Sequence, residues 1–307
     1  SRLDDGNFWA VLTTFEGDYH FARFKKAVEK PFTADENWQR LERPWKSSVE
    51  EIDYIAYIHQ IREEIAAGGV YQVNACRQIF HEDVKEPLAG LFSEILLHNP
   101  APFASYLSVP GLEIASASPE LFLSREGSKI KSSPIKGTKK SDSAGFGEKD
   151  QSENIMIVDL VRNDLSRIAK KGTVKVTELC GIHTFETVHQ MISTIECELQ
   201  EKTVFTDVLR ASFPMGSMTG APKIEAMKII DEVEDFNRGI YSGSIGYISP
   251  NGDFDFNVVI RSLIYHREKK YLSCSVGGAI TILSDSEKEY EECQTKIQKI
   301  LNGMYAE

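Results

Sequence analysis

The sequence predicts an α+β fold, mainly antiparallel β-sheets packed face to face with helices outside. Strand-like segments arrive in hairpin-connected runs, not in the one-by-one alternation with helices that a parallel sheet needs. The longest run, residues 239–278, places RGIYSGSIGYIS and DFDFNVVIRSLIYH on either side of Asn251-Gly252, a strong hairpin dipeptide. Helical signals fall between such runs, near residues 48–67, 153–169 and 205–212, and again from about Ser286.

Taken in order, residues 7–15 (NFWAVLTTF) and 18–24 are β-branched, aromatic and apolar around Glu16-Gly17, which reads as a hairpin. Residues 30–47 are polar and proline-punctuated, a connector. Residues 1–47 are therefore assigned to a short N-terminal hairpin and connector, and 48–307 to the main domain. Ser48 and Glu51 have capping-box spacing, Ile52, Ile55, Ile58, Ile61 and Ile65 follow at helical intervals, and Gly68-Gly69 closes the helix. Residues 70–80, VYQVNACRQIF, are strand-like.

FASYLSV, LEIASA, ELFLSRE and KIKSS make three or four short strands between residues 103 and 132, and a polar, glycine-rich loop is expected over 137–148. ENIMIVDLVRNDLSRIA, residues 153–169, is apolar on almost every side. A helix buried on most faces follows, and its polar members Glu153, Asp159, Asn163 and Asp164 then need partners. Strand character returns over 173–197. A helix at 205–212 leads into FPMGSMTGAPKIEAMKII, with Pro222 expected in the first turn of the next helix. The last helix carries Tyr290, Cys293, Ile297, Ile300, Leu301 and Met304 as its buried stripe.

Acidic residues outnumber basic ones by 46 to 35, a formal charge of −11. Such a field disfavours nucleic acid, and an anionic ligand would need positive charge concentrated in its site. No apolar run reaches membrane-spanning length and no signal-peptide pattern opens the chain. Five scattered cysteines without a CxxC pair indicate neither a zinc site nor a disulfide framework. The chain reads as cytoplasmic.

Within SSPIKGTKK, Pro134 and Gly137 frame Lys136 with a stiff residue on one side and a permissive one on the other. Such a shoulder can aim one side chain, although a lone loop lysine is commonly just solvated. Glu153 and Glu292 lie on two distant helices. If both are buried, a hard divalent cation is the usual neutraliser, and magnesium takes one or two carboxylates together with waters and substrate oxygens. Taken singly, Glu153 also suits a helix start and Glu292 an i,i+4 pair with Lys296. GSMTGAPK is not a Walker A loop, because Ala221 and Pro222 separate the last glycine from Lys223. Gly277 and Gly278 can present backbone N–H groups to an anion. Arg261, inside the strand-like VVIRSL, is either a carboxylate clamp or half of a salt bridge. His189 suits a core histidine as well as a functional one, and Glu120 a surface acid as well as a general acid with raised pKa.

YQVNACR, ASASPELF, PIKGT, ENIMIVDLVRND, FETVHQMIST, FPMGSMTGAPK, YSGSIGY, VVIRSL, VGGAI and EYEEC, in this order from about residue 48 to the end, resemble the chorismate-utilising enzymes. Within that family the aminodeoxychorismate synthase component I branch is the nearest in pattern. The resemblance implies magnesium on Glu153 and Glu292, with Glu289 helping through water, holding the ring carboxylate of chorismate. It also implies Tyr247 and Arg261 on the enolpyruvyl carboxylate, Lys296 and the Gly277-Gly278 backbone on the ring carboxylate, and Thr219 as a substrate wall. Glu120 would be the acid/base at the C4 hydroxyl and His189 a support near the ring.

Lys136 separates the branches. Aminodeoxychorismate synthases resemble this chain in carrying PIKGT, where anthranilate synthases have alanine. The implied reaction exchanges the C4 hydroxyl for an amine through an adduct on Lys136, toward para-aminobenzoate and folate. The position of the water-activating lysine in isochorismate and salicylate synthases is Gln72 here. Only about 48 residues precede the capping box, so tryptophan feedback is not expected. Cys76 sits outside any nucleophile elbow, so ammonia is expected from solution or from a glutamine amidotransferase subunit. An anthranilate synthase-like enzyme and a catalytically silent chorismate-binding subunit are the competing readings, and Lys136 stands against the first.

Overall fold

The N-terminal hairpin, β1 (Phe8–Thr13) and β2 (Tyr19–Phe24), forms as the sequence predicts, with Leu12 opposite His20. The computed structural model describes residue 3 and residues 5–24, 26–28, 45–85, 87–140, 145–185 and 188–301. Next come β3 (Lys46–Ser47), α1 (Glu51–Ala66), β4 (Gln72–His81) and α2 (Leu88–His98). Four strands follow as expected: β5 (Phe103–Val109), β6 (Leu112–Ser118), β7 (Leu121–Glu126) and β8 (Lys129–Ser133). Then come β9 (Ile135–Lys140), α3 (Glu148–Ser166), β10 (Lys175–Thr184), β11 (Val188–Glu198) and α4 (Phe205–Ser212). A 3-10 turn, Gly216–Met218, precedes β12 (Gly220–Ala221) and α5 (Lys223–Val233). The chain ends through β13 (Ser244–Ile248), β14 (Phe254–Asn257), β15 (Ser262–His266), β16 (Tyr271–Ile280) and α6 (Ser286–Leu301).

Among the described residues these strands make two antiparallel sheets. The nine-stranded sheet runs β10-β11-β8-β7-β14-β13-β1-β2, with β9 also on β11; the seven-stranded sheet runs β12-β4-β16-β15-β6-β5, with β3 on β4. The N-terminal hairpin is not set apart, since β1 pairs with β13 from Trp9 opposite Ile248 to Thr13 opposite Ser244. One core places Tyr54, Ile58, Leu91, Ile229 and Ile297 of the helices against Val73, Leu263 and Leu272 of the seven-stranded sheet. Ile58 and Ile61 are fully buried, and each such side chain contributes about 1.5–3 kcal/mol relative to exposure. The other core joins Ile130, Ile195 and Phe256 of the nine-stranded sheet to Ile114 and Ile264 of its neighbour and to Leu165 and Val208 of the helices. Among the described residues no helix is long and apolar enough to cross a membrane.

Several expectations yield to tertiary contacts. Ser48 does not cap α1. Its backbone N–H donates to the Gln78 carbonyl at 2.8 Å and its hydroxyl accepts from the Gln78 N–H at 3.1 Å, so β4 has claimed it. Of the predicted isoleucine stripe, Ile58 and Ile61 are buried while Ile52 is 76% exposed; Tyr54 takes the core position. The expected 137–148 loop begins inside β9, because its backbone pairs with β11. α3 is buried along one face only: Glu153 and Asp164 face inward, whereas Asp159 is exposed and paired with Arg162. Asp164 finds its partner in Lys223 at 2.6 Å. Pro222 stands at the N-cap of α5, one residue before the helix. Residues 30–44 of the connector and Met304 lie outside the described residues.

Candidate active site

A cavity of about 400 Å³ is walled by β4, β9, β16, α3, α6 and the 216–218 turn. Lys136 reaches it from β9, whose register on β11 sets Ile135 opposite Ile192 and Thr138 opposite Gln190. Gly137 takes a φ of +84°, and a Cβ there would stand 2.8 Å from the Phe146 ring, so both conformation and space require glycine. Lys136 Nζ donates to the Ser217 carbonyl at 3.1 Å. Burial pulls its pKa below the ordinary lysine value, against Glu153, Glu120 and Glu292, which pull it up.

Glu120 sits at the β6–β7 junction, 4% exposed. The Ser217 side chain and the Ile135 backbone both favour its ionised form. Burial nevertheless pushes it up to about 7, with Ser217, Lys136 and Arg261 holding it from going higher. Ser217 is thus a hub, and Asn74 Nδ2 also donates to its carbonyl. Thr219 is the expected substrate wall from this stretch. Thr219 is fully buried, its hydroxyl donates to the Met215 carbonyl at 3.2 Å, and Ser217 and Met218 line the cavity in its place.

Three carboxylates and two lysines form the opposite wall. Glu153 on α3 and Glu289 on α6 are buried, while Glu292 is exposed into the cavity. The buried acid of α6 is therefore Glu289 and not Glu292. Lys149 Nζ lies 2.7 Å from Glu289 Oε1 and 3.8 Å from Glu153 Oε1. Lys296 Nζ lies 2.8 Å from Glu292 Oε1 and donates to the Gly277 carbonyl at 2.7 Å. Burial raises the Glu153 pKa, opposed by Lys136 and Lys149 and reinforced by Glu289 and Glu292. Lys296 holds Glu292 below the ordinary carboxylate value. A Cβ on Gly277 would come within 2.5 Å of the Ala75 carbonyl oxygen, and one on Gly278 would stand 3.1 Å from Glu289 Oε2. Glycines here let β16 lie against β4 and keep room beside the acids.

Arg261 also lines the cavity, but from the corner between β14 and β15 and not from within a strand. Its φ of +51° marks the sharp turn by which the chain passes from one sheet to the other. Tyr247 does not reach the cavity. It is 49% exposed on β13, with its ring 6.4 Å from that of Phe8. Tyr241, in the turn before β13, is 3% exposed and lines the cavity near Arg261. The motif YSGSIGY contains both tyrosines, and of the two it is the first that lines the cavity. His189 is half-buried on β11, outside the cavity lining, with Nδ1 hydrogen-bonded to Thr184 Oγ1 at 3.0 Å. Burial pushes the Cys76 thiol up to about 12, so this wall residue stays protonated.

Among the described residues no group of three His, Cys, Asp or Glu side chains is close enough to form a metal site on its own. The position of Lys149 shows, however, that a positive charge fits between Glu153 and Glu289. Buried oxygen donors of this kind suit a hard cation completed by water and ligand oxygens.

Residues 4–302 match the chorismate binding enzyme family. The chain belongs to that family. This chorismate binding enzyme is 39% identical to aminodeoxychorismate synthase component 1 of Escherichia coli (strain K12), over 85% of its own length and 59% of that relative. It thus spans about three fifths of the length of that curated relative. Its fold matches the crystal structure of anthranilate synthase component I from Streptococcus pneumoniae TIGR4 with a TM-score of 0.78 and 28% identity, covering 87% of this chain and 60% of the other. The menaquinone-specific isochorismate synthase from Escherichia coli shares the fold with a TM-score of 0.79 at 17% identity, covering 99% of this chain and 80% of the other.

Proposed function

We propose that this chorismate binding enzyme exchanges the C4 hydroxyl of chorismate for an amine, as an aminodeoxychorismate synthase component I. The carrying observation is Lys136, an amine whose pKa burial lowers, sharing Ser217 with a carboxyl group whose pKa burial raises. In its neutral form the Lys136 amine attacks C2, both conjugated ring double bonds shift toward C4, and the C4 hydroxyl leaves as water on the proton of Glu120. Ammonia then adds at C4, Glu120 takes back a proton, and both double bonds shift back to expel Lys136 from C2. Each bond made is matched by one broken, so no redox partner is needed.

Arg261 and Tyr241 are the residues we assign to the enolpyruvyl carboxylate, and Lys296 with the Gly277-Gly278 backbone to the ring carboxylate. Glu153, Glu289 and Glu292 would hold magnesium, whose charge would neutralise the ring carboxylate. Gln72 is buried with neither amide atom hydrogen-bonded, and an amide there cannot act as a base for water. The "component 1" in the relative's name supports a second component, which we take to be a glutamine amidotransferase supplying ammonia for para-aminobenzoate and folate synthesis.

The test is product analysis by mass spectrometry with chorismate, ammonium and magnesium. We expect 4-amino-4-deoxychorismate. A 2-amino product or anthranilate would move the chain to the anthranilate-type reaction. Binding without turnover would make it a silent subunit.

A further inference from the structure

We propose that Lys149 is a built-in competitor of the divalent cation. Its ammonium neutralises Glu153 and Glu289 in the metal-free protein and leaves when a cation takes those carboxylates. This rests on the reading of Glu153, Glu289 and Glu292 as cation ligands.

The geometry points this way on three counts. Lys149 contacts acids of two separate helices, 2.7 Å to Glu289 on α6 and 3.8 Å to Glu153 on α3, so it occupies the space a bridging cation needs. The two acids are deeply placed, with side chains 12% and 5% exposed, whereas that of Lys149 is 39% exposed. Removing the ammonium would leave two poorly solvated negative charges facing each other, but the ammonium itself has an open path out on a flexible stem. Lys136 also acts on Glu153 from across the cavity, but among the described residues it is Lys149 that is ion-paired with both Glu153 and Glu289, while Lys136 Nζ donates to the Ser217 carbonyl and Lys296 pairs with Glu292. One positive charge belongs in this position at a time.

Binding of the cation must therefore release Lys149, which weakens the affinity of the protein for metal alone. An anionic ligand in the same cavity offers the released ammonium a new partner and lowers that penalty. Cation and dicarboxylate then bind with positive coupling, and the coupling is reciprocal.

Magnesium chloride is titrated calorimetrically into metal-free wild type, Lys149→Gln and Lys149→Arg, without chorismate, alongside thermal melts. Lys149→Gln should bind magnesium about tenfold more tightly, within the usual range of coupling between sites. It should also melt lower than wild type without metal and recover with it. Lys149→Arg, which keeps the charge, should resemble wild type in both readouts. Equal or weaker magnesium affinity in Lys149→Gln overturns the proposal, as does the absence of magnesium binding in all three. A parallel chorismate titration keeps the two readings apart. Wild type that binds magnesium but never chorismate overturns the proposed function, while the magnesium comparison still decides the role of Lys149.

Discussion

Lys136 and Glu120 meet at a single residue: the Ser217 carbonyl accepts from Lys136 Nζ at 3.1 Å, and Ser217 lines the same cavity as Glu120 and favours the ionised form of its carboxyl. Burial drives the two groups toward neutrality from opposite sides, the acid up to about 7 and the amine downward. Two titratable groups displaced in this way can act as nucleophile and proton donor in one medium.

Lys136→Ala should keep chorismate binding and lose formation of the 4-amino product. Lys136→Arg should not rescue it, because a guanidinium stays protonated near neutral pH. Intact-protein mass spectrometry of trapped enzyme should show an adduct on wild type and none on the alanine variant. Undiminished product from Lys136→Ala would remove the covalent step.

Glu120→Gln should lower turnover by about 10²–10⁴-fold, the range for a lost general acid. Its effect on stability has the opposite sign. The native carboxyl, at about 7, holds its proton where an unfolded one, at 4.5, has lost it. Wild type therefore loses stability as pH rises through that window, by up to about 3 kcal/mol at pH 8. The glutamine variant lacks this slope and should be the more stable protein at pH 8, with the gap closing at pH 4 to 5. Parallel pH slopes in urea unfolding of the two proteins would refute the assignment.

Glu153→Gln should abolish the gain in chorismate affinity that magnesium confers on wild type. Four calorimetric titrations decide this, each protein with and without the metal. Equal affinities in all four would sink the metal reading.

Glu234→Gln should destabilise the fold by about 3–5 kcal/mol, because it strands a buried charge. Arg238 donates to Glu234 at 2.6 and 2.8 Å, and the two side chains are 1% and 2% exposed. The pair also holds the cavity wall, through the Met218 and Asn74 carbonyls and the Cys76 N–H. Guanidinium unfolding measures the loss, and a change below about 1 kcal/mol would contradict the assignment.

What the sequence determined alone lies where the physics is local. The helix at 205–212 and the hairpin around Asn251-Gly252 depend on a few adjacent residues, and both are present. Tertiary structure decided between near neighbours. Tyr241 and Tyr247 share one motif, but pairing of β13 between β1 and β14 holds the second at the surface, while the preceding turn aims the first inward. A 3-10 turn gives the cavity Ser217 in place of Thr219. Glu289 and Glu292 lie one helical turn apart on α6, and Lys149 reaching across from α3 caps the deeper acid. Ser48 loses its capping role to β4, a strand more than twenty residues away. Each outcome turns on which distant backbone arrives alongside, and residue spacing carries no record of that.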